Sequence, residues 1–96
     1  MNVKIQSVKF DADKKLLDFI EAKVNKVERF SDKITSAIVT LRIDKDNEHG
    51  NKIALIELEV PGESLVAERQ TKSFEESVDL AIDAIKKQLE KYKDKH

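Results

Sequence analysis

The stretch ALIELEV, Ala54 to Val60, runs directly into Pro61-Gly62 and constrains this chain more than any other feature. Ala54, Ile56, Leu58 and Val60 recur at every second residue opposite Glu57 and Glu59, the period of a strand with one apolar face. Val60-Pro61-Gly62-Glu63 then suits a type II turn, in which proline presets the first central residue and glycine supplies the positive φ of the second. The chain must fold back here, and Leu65 and Ala67 continue as the returning strand. Arg69 falls in the same inward phase without a sequence-level reason. A sheet with one strongly apolar face needs a second layer to cover it.

Two segments have the period to supply that layer. Asp13 is placed to cap a helix whose apolar positions Leu16, Leu17, Ile20, Val24 and Val27 carry it to about Phe30. Ser73, with Glu76 three residues on, has the spacing of a capping box. It opens a long final helix with the stripe Phe74, Val78, Ala81, Ile82, Ile85, Leu89 and Tyr92. Two further strands complete the inventory. Val3 to Phe10 alternates with a phase shift at Ser7-Val8, which predicts a strand with a bulge. Ala37, Val39, Leu41 and Ile43 alternate with Ile38, Thr40 and Arg42. The order is β-α-β-β-β-α, an α+β two-layer sandwich with two helices packed on one face of a four-stranded sheet.

Ninety-six residues suffice for one modest core, so residues 1–96 are read as a single domain. The absence of cysteine excludes disulfides and thiolate metal sites and fits a reducing compartment. MNVKIQSVKF lacks the apolar core of a signal peptide and no run approaches membrane-spanning length, so the expectation is a soluble, cytoplasmic protein without a membrane partner. Catalytic signatures are missing: there is no glycine-rich phosphate loop and no nucleophile elbow, and only two glycines are available for tight turns. We therefore expect neither an enzyme nor a small-molecule substrate or cofactor. Asp44, Asp46 and Glu48 in DKDNEHGN faintly echo a calcium loop, but His49 stands in place of its glycine and Leu55 in place of its bidentate glutamate. His49 and His96 have no histidine or cysteine partners for zinc.

Charge carries the remaining information. The formal net charge is -1, so any attraction to a polyanion must come from arrangement. In the final helix Glu75, Glu76, Asp79 and Asp83 precede Lys86, Lys87, Lys91, Lys93 and Lys95, an order the helix dipole alone favours. A dipole does not select a side of the helix, however. Lys87, Lys91 and Lys95 share a stripe roughly opposite the apolar one, while Lys86 and Lys93 sit nearer the acidic flank. On the first helix Lys15, Lys26, Arg29 and Lys33 fall within about 60° of one another, with Lys23 between them and the core. Lys14 and Lys15 occupy the first turn, where the dipole disfavours bases. A solvated face laced by Lys14-Asp18, Lys15-Asp18 and Arg29-Asp32 pairs competes with a phosphate-binding surface as the explanation.

A base-stacking sheet is disfavoured, because of the aromatic residues only Phe10 is assigned to a strand. Ile38, Ile53 and Leu55 in the outward strand phase keep a second class open, a protein-interaction or regulatory module with lysines that only solubilise it.

The chain resembles the ribosome hibernation-promoting factors, also called ribosome-associated inhibitor A or sigma-54 modulation proteins. The resemblance runs over nearly the whole sequence and is carried by FIEAKVNKVERFSDKI (Phe19 to Ile34) and VDLAIDAIKKQLEKYKDK (Val78 to Lys95), including Gln88-Leu89 and the terminal lysines. It implies the same element order, similar to a double-stranded RNA-binding domain with an extra strand. It also implies binding to the small ribosomal subunit and its 16S rRNA in the decoding channel, with translation stopped and ribosomes stored idle. The matching basic positions are Lys23, Lys26, Arg29 and Lys33 on the first helix, and Lys86, Lys87, Lys91 and Lys93 on the last. Departures are Glu75 in place of an aromatic, Ala84 in place of a common lysine, and a short insertion around Phe10 to Asp13. With nothing after Lys95-His96, the resemblance is to the short form, which implies a separate ribosome-pairing factor.

Overall fold

The computed structural model describes residues 1–95. A sheet in the order β1-β2-β3-β4 is built from β1 (Asn2–Ser7), β2 (Ser36–Ile43), β3 (Lys52–Val60) and β4 (Glu63–Thr71). β1 runs parallel to β2, and the other pairs are antiparallel. The helices α1 (Lys14–Asn25) and α2 (Phe74–Lys95) cover one face. The expected α+β two-layer architecture is therefore present.

The tight hairpin forms where the sequence predicts it. Val60 pairs with Glu63 across Pro61-Gly62, and Gly62 takes φ +88, a value that a side chain would strain. Ala37, Val39 and Leu41 of β2 join Ala54, Ile56, Leu58 and Val60 of β3 and Leu65 and Ala67 of β4 in one core. Ile20, Val24, Val78, Ile85 and Leu89 press onto it from the helices with almost no exposure. Arg69 lies opposite Ala54 but stays exposed and donates to the Glu68 carbonyl, so its inward phase is not used for packing. Ile43, expected inward, is 36% exposed because it pairs with Lys52 at the end of the sheet, past the buried rows.

Three boundaries differ from expectation. No bulge forms in β1: the strand stops at Ser7, Val8 donates one last bond to the Leu41 carbonyl (2.9 Å), and Lys9 turns to φ 64. A left-handed residue other than glycine costs about 1–2 kcal/mol. The turn brings Phe10, which lies outside the strand, into a stack on Phe74 with centroids 5.2 Å apart and planes 8° from parallel. Stacking of the half-buried Phe10 on the buried Phe74 offsets the strain.

The first helix also ends sooner than its apolar period implies. Asp13 caps it as expected, accepting from the Leu16 amide at 2.8 Å. At Lys26 the chain tightens into a 3-10 helix, Lys26–Phe30, and Ser31 is extended. The tighter turn still buries Val27 and releases the chain toward Ile34 and β2.

The third difference is at the start of α2, where the capping box is half formed. Ser73 Oγ accepts from the Glu76 amide (3.1 Å), but the Ser73 amide goes to Thr71 Oγ1 (3.3 Å) instead of to Glu76. Thr71 Oγ1 also meets Ser77 Oγ at 2.8 Å, and Ser77 Oγ reaches the Lys52 carbonyl at 2.7 Å. Ser77 is the buried polar residue of α2, and this chain of hydroxyls ties the helix start to the ends of β3 and β4. Ser77→Ala should therefore lower stability by about 1–2 kcal/mol, measured by denaturant unfolding with an unchanged m-value.

Candidate nucleic-acid interface

Where the candidate cations end up depends on how α1 and α2 lie side by side. Lys23 on α1 reaches Asp79 on α2, with Nζ to Oδ1 at 3.3 Å, and also sits 5.5 Å from the Phe19 ring. This ion pair bridges the helices and commits the Lys23 charge to a neighbour. Lys23, Lys26 and Lys86 line the groove between the helices together with Ile82, Asp79 and Asp83. At the groove's end, Lys33 and Lys93 line a cavity with Phe30, Ser31, Asp32 and Tyr92. Lys93 Nζ donates to the Phe30 carbonyl at 2.6 Å, and Lys86 Nζ stands 5.1 Å from the centre of the Phe30 ring.

Local structure explains how the first-helix positions converge. A 3-10 turn eclipses residues three apart, so Lys26 and Arg29 point the same way. Lys33 lies beyond the helix, and its helical-wheel position does not apply. Its place is set by a turn in which its amide donates to Ser31 Oγ at 3.1 Å. Met1 ties this region to β1 through its ammonium, 3.6 Å from Glu28 Oε1. Of the charge pairs expected on this helix, Lys14–Asp18 forms at 2.9 Å. The Arg29–Asp32 pair is absent among the described residues, because the helix does not continue through Ser31 to bring the two together. Lys15–Asp18 is absent among the described residues as well.

The six cations Lys23, Lys26, Arg29, Lys33, Lys86 and Lys93 thus share one side of the helical layer, against the carboxylates Asp32, Asp79 and Asp83. Lys86 and Lys93 break the α2 stripe in the sequence, and they are the two that meet the first helical segment, Lys86 beside Lys23 and Lys26 and Lys93 at Phe30 of the 3-10 turn. Lys87 and Lys91 stay on the solvent side of α2 and form a separate row. Lys91 stands roughly 160° around the helix from Lys93. Phe30 was not a candidate in the sequence. Its only signal there was an aromatic at the end of the apolar period, flanked by Arg29 and Lys33.

The helix-free face of the sheet offers less apolar surface than its sequence implies. Ile53 is only 7% exposed. It lies in register between Arg42 and Gln70, which are held over it by Arg42–Glu68 (2.8 Å) and by Gln70 bonds to Asp44 and the Gly50 carbonyl. Ile38 and Leu55 are half-buried. The loop after β2 is knitted by Asp44 and Asn47 side chains accepting backbone amides. Among the described residues no group of three His, Cys, Asp or Glu side chains could hold a metal ion. No helix is long and apolar enough to cross a membrane.

The same arrangement of sheet and helices recurs in a ribosomal subunit interface protein from Coxiella burnetii, with a TM-score of 0.85 and 24% identity, covering 97% of this chain and 98% of that one. It recurs in the N-terminal domain of Thermus thermophilus Protein Y, with a TM-score of 0.82 and 22% identity over 96% and 99% of the two chains. These likenesses define the fold class. The family profile described as sigma 54 modulation protein / S30EA ribosomal protein matches residues 3–96, and the chain belongs to that family. A ribosome hibernation promoting factor of Azotobacter vinelandii is 33% identical over 95 residues, covering 99% of this chain and 85% of that protein. The ribosome hibernation promotion factor of Deinococcus radiodurans is 32% identical over 81 residues, and this chain spans 42% of its length.

Proposed function

We propose that this protein is a non-enzymatic translation inhibitor of the cytoplasm that binds 16S rRNA in the decoding channel of the small ribosomal subunit. Its body, 41 × 24 × 18 Å, would occupy the path of mRNA and tRNA and hold the subunit idle. The observation that carries this reading is the convergence of Lys26, Arg29, Lys33, Lys86 and Lys93 on one side of the helical layer. Such convergence in a chain of formal net charge -1 is what a phosphate-binding surface needs and what solubility alone does not. The family, and relatives that are ribosome hibernation factors, make ribosomal RNA the polyanion to test. Lys87 and Lys91 form a second row able to reach phosphates on the outer side of α2, and Lys23 contributes while bridging to Asp79.

Co-sedimentation with purified small subunits across a salt series tests this directly. Phosphate neutralisation releases counterions, so the five convergent cations alone should contribute about -3.5 to -4.5 to the slope of log affinity against log salt. A salt-independent association would contradict it and favour a protein contact on the sheet face.

A further inference from the structure

Of the five aromatic residues, Phe74 and Tyr92 belong to the buried core, and Phe10 and Phe19 pack against it. Phe30 does neither and is 41% exposed. It is nonetheless held in place from three directions. It closes the 3-10 helix, its carbonyl accepts from Lys93, and its ring faces the Lys86 ammonium. It also walls a cavity of about 320 Å³ shared with Ser31, Asp32, Lys33, Tyr92 and Lys93. That volume is at the small end of the range for small-ligand pockets, roughly 300–1,000 Å³.

A surface that only neutralised phosphates would need cations and no ring. A fixed aromatic among three lysines adds a π-face that water serves poorly and an unpaired base serves well, while lysines on either side suit the flanking phosphates. We propose that Phe30 is a stacking platform for one unpaired nucleotide of ribosomal RNA. The base enters the cavity, and Lys33, Lys86 and Lys93 hold the adjoining backbone. Asp32 offers acceptors to base N–H groups, and Lys86 exchanges its contact with the ring for a phosphate. The proposal rests on the ribosomal-RNA reading above and deepens it, since it makes part of the affinity depend on a single-stranded element and not on charge alone.

The test uses Phe30→Leu and Phe30→Trp in equilibrium binding to small subunits. Phe30 lies outside the core, so both variants should melt close to the parent chain. Loss of one base–aromatic stack should weaken Phe30→Leu by about 5- to 150-fold, with Phe30→Trp retaining affinity. The salt slope should be the same in all three, because no phosphate contact is removed. The parent chain has no tryptophan, so the indole of the second variant reports alone. Its emission should be quenched by saturating subunits and by a short single-stranded RNA, and not by a duplex of equal length. Phe30→Leu binding within about twofold of the parent, or an unquenched indole at saturation, would overturn the platform while leaving ribosome binding intact. A parent chain that fails to bind subunits would instead remove the reading beneath it, and oligonucleotide quenching would still report on the pocket.

Discussion

A chain carrying Lys26→Glu and Lys33→Glu should bind small ribosomal subunits at least about 100-fold more weakly than the parent, because each charge-assisted contact is worth about 1.5–3 kcal/mol. Both side chains are exposed, and neither makes an ion pair among the described residues, so the fold has little to lose. Each reversal also places a carboxylate where a phosphate would lie. The salt slope should flatten by about 1.4–1.8, the share of two phosphate contacts. Lys14 and Lys15 make the matching control at the other end of α1. The hydrogen bond and charge of Asp18 raise the pKa of Lys14, and that lysine's charge is balanced where it stands. Reversing Lys14 and Lys15 should leave subunit binding nearly unchanged. Equal losses from both pairs in sedimentation assays would mean that net charge, and not the site, governs binding.

The largest effect on the fold should come from Ile85→Ala. Ile85 has no exposure and sits at the middle of the α2 stripe, between Ile82 and Leu89, against the sheet. Truncating a fully buried isoleucine removes its transfer energy and leaves a cavity, typically costing 2–5 kcal/mol, so about that much should be lost here. For a domain of this size the melting temperature should fall by roughly 8–40 °C. The stability of such domains is only about 5–15 kcal/mol, so this loss is a large share of the total. Calorimetry or a thermal melt followed by circular dichroism measures this. A shift of only a few degrees would mean that α2 is not held by the packing described. Gln88 beside it gives a second anchor, donating to the Val66 carbonyl on edge strand β4 at 2.7 Å. The Gln88-Leu89 pair of the family resemblance thus joins one edge contact to one core contact.

Period and turn chemistry made most of the architecture readable. The inward rows of β2 and β3, the Pro61-Gly62 turn, the Asp13 cap and the long α2 stripe are local patterns, and local patterns survive into the structure. What the sequence hid was set by tertiary demands. The end of α1 depends on the chain reaching β2, which selects a 3-10 turn over five more residues of α-helix. Lys9 takes a positive φ because Phe10 must reach Phe74, and no residue near Ser7-Val8 announces that contact.

The candidate site was legible as a list and not as a place. Which lysines meet is decided by the packing of α2 beside α1, and a helical wheel of either helix alone gives no access to it. Judged on α2 alone, Lys87 and Lys91 form the more ordered stripe, yet Lys86 faces α1 and Lys93 faces the 3-10 turn after it. Phe30 carries no such signal in the sequence, because aromatic stacking platforms typically lie on a sheet, whereas this ring closes a helical turn.

Chemical probing of 16S rRNA in small subunits, with and without saturating protein, tests the central claim most directly. The account predicts protections clustered along the path of mRNA and tRNA, lost in the Lys26→Glu, Lys33→Glu chain, together with displacement of a bound mRNA. Protections confined to a surface remote from that path, with mRNA and initiator tRNA still bound, would contradict it.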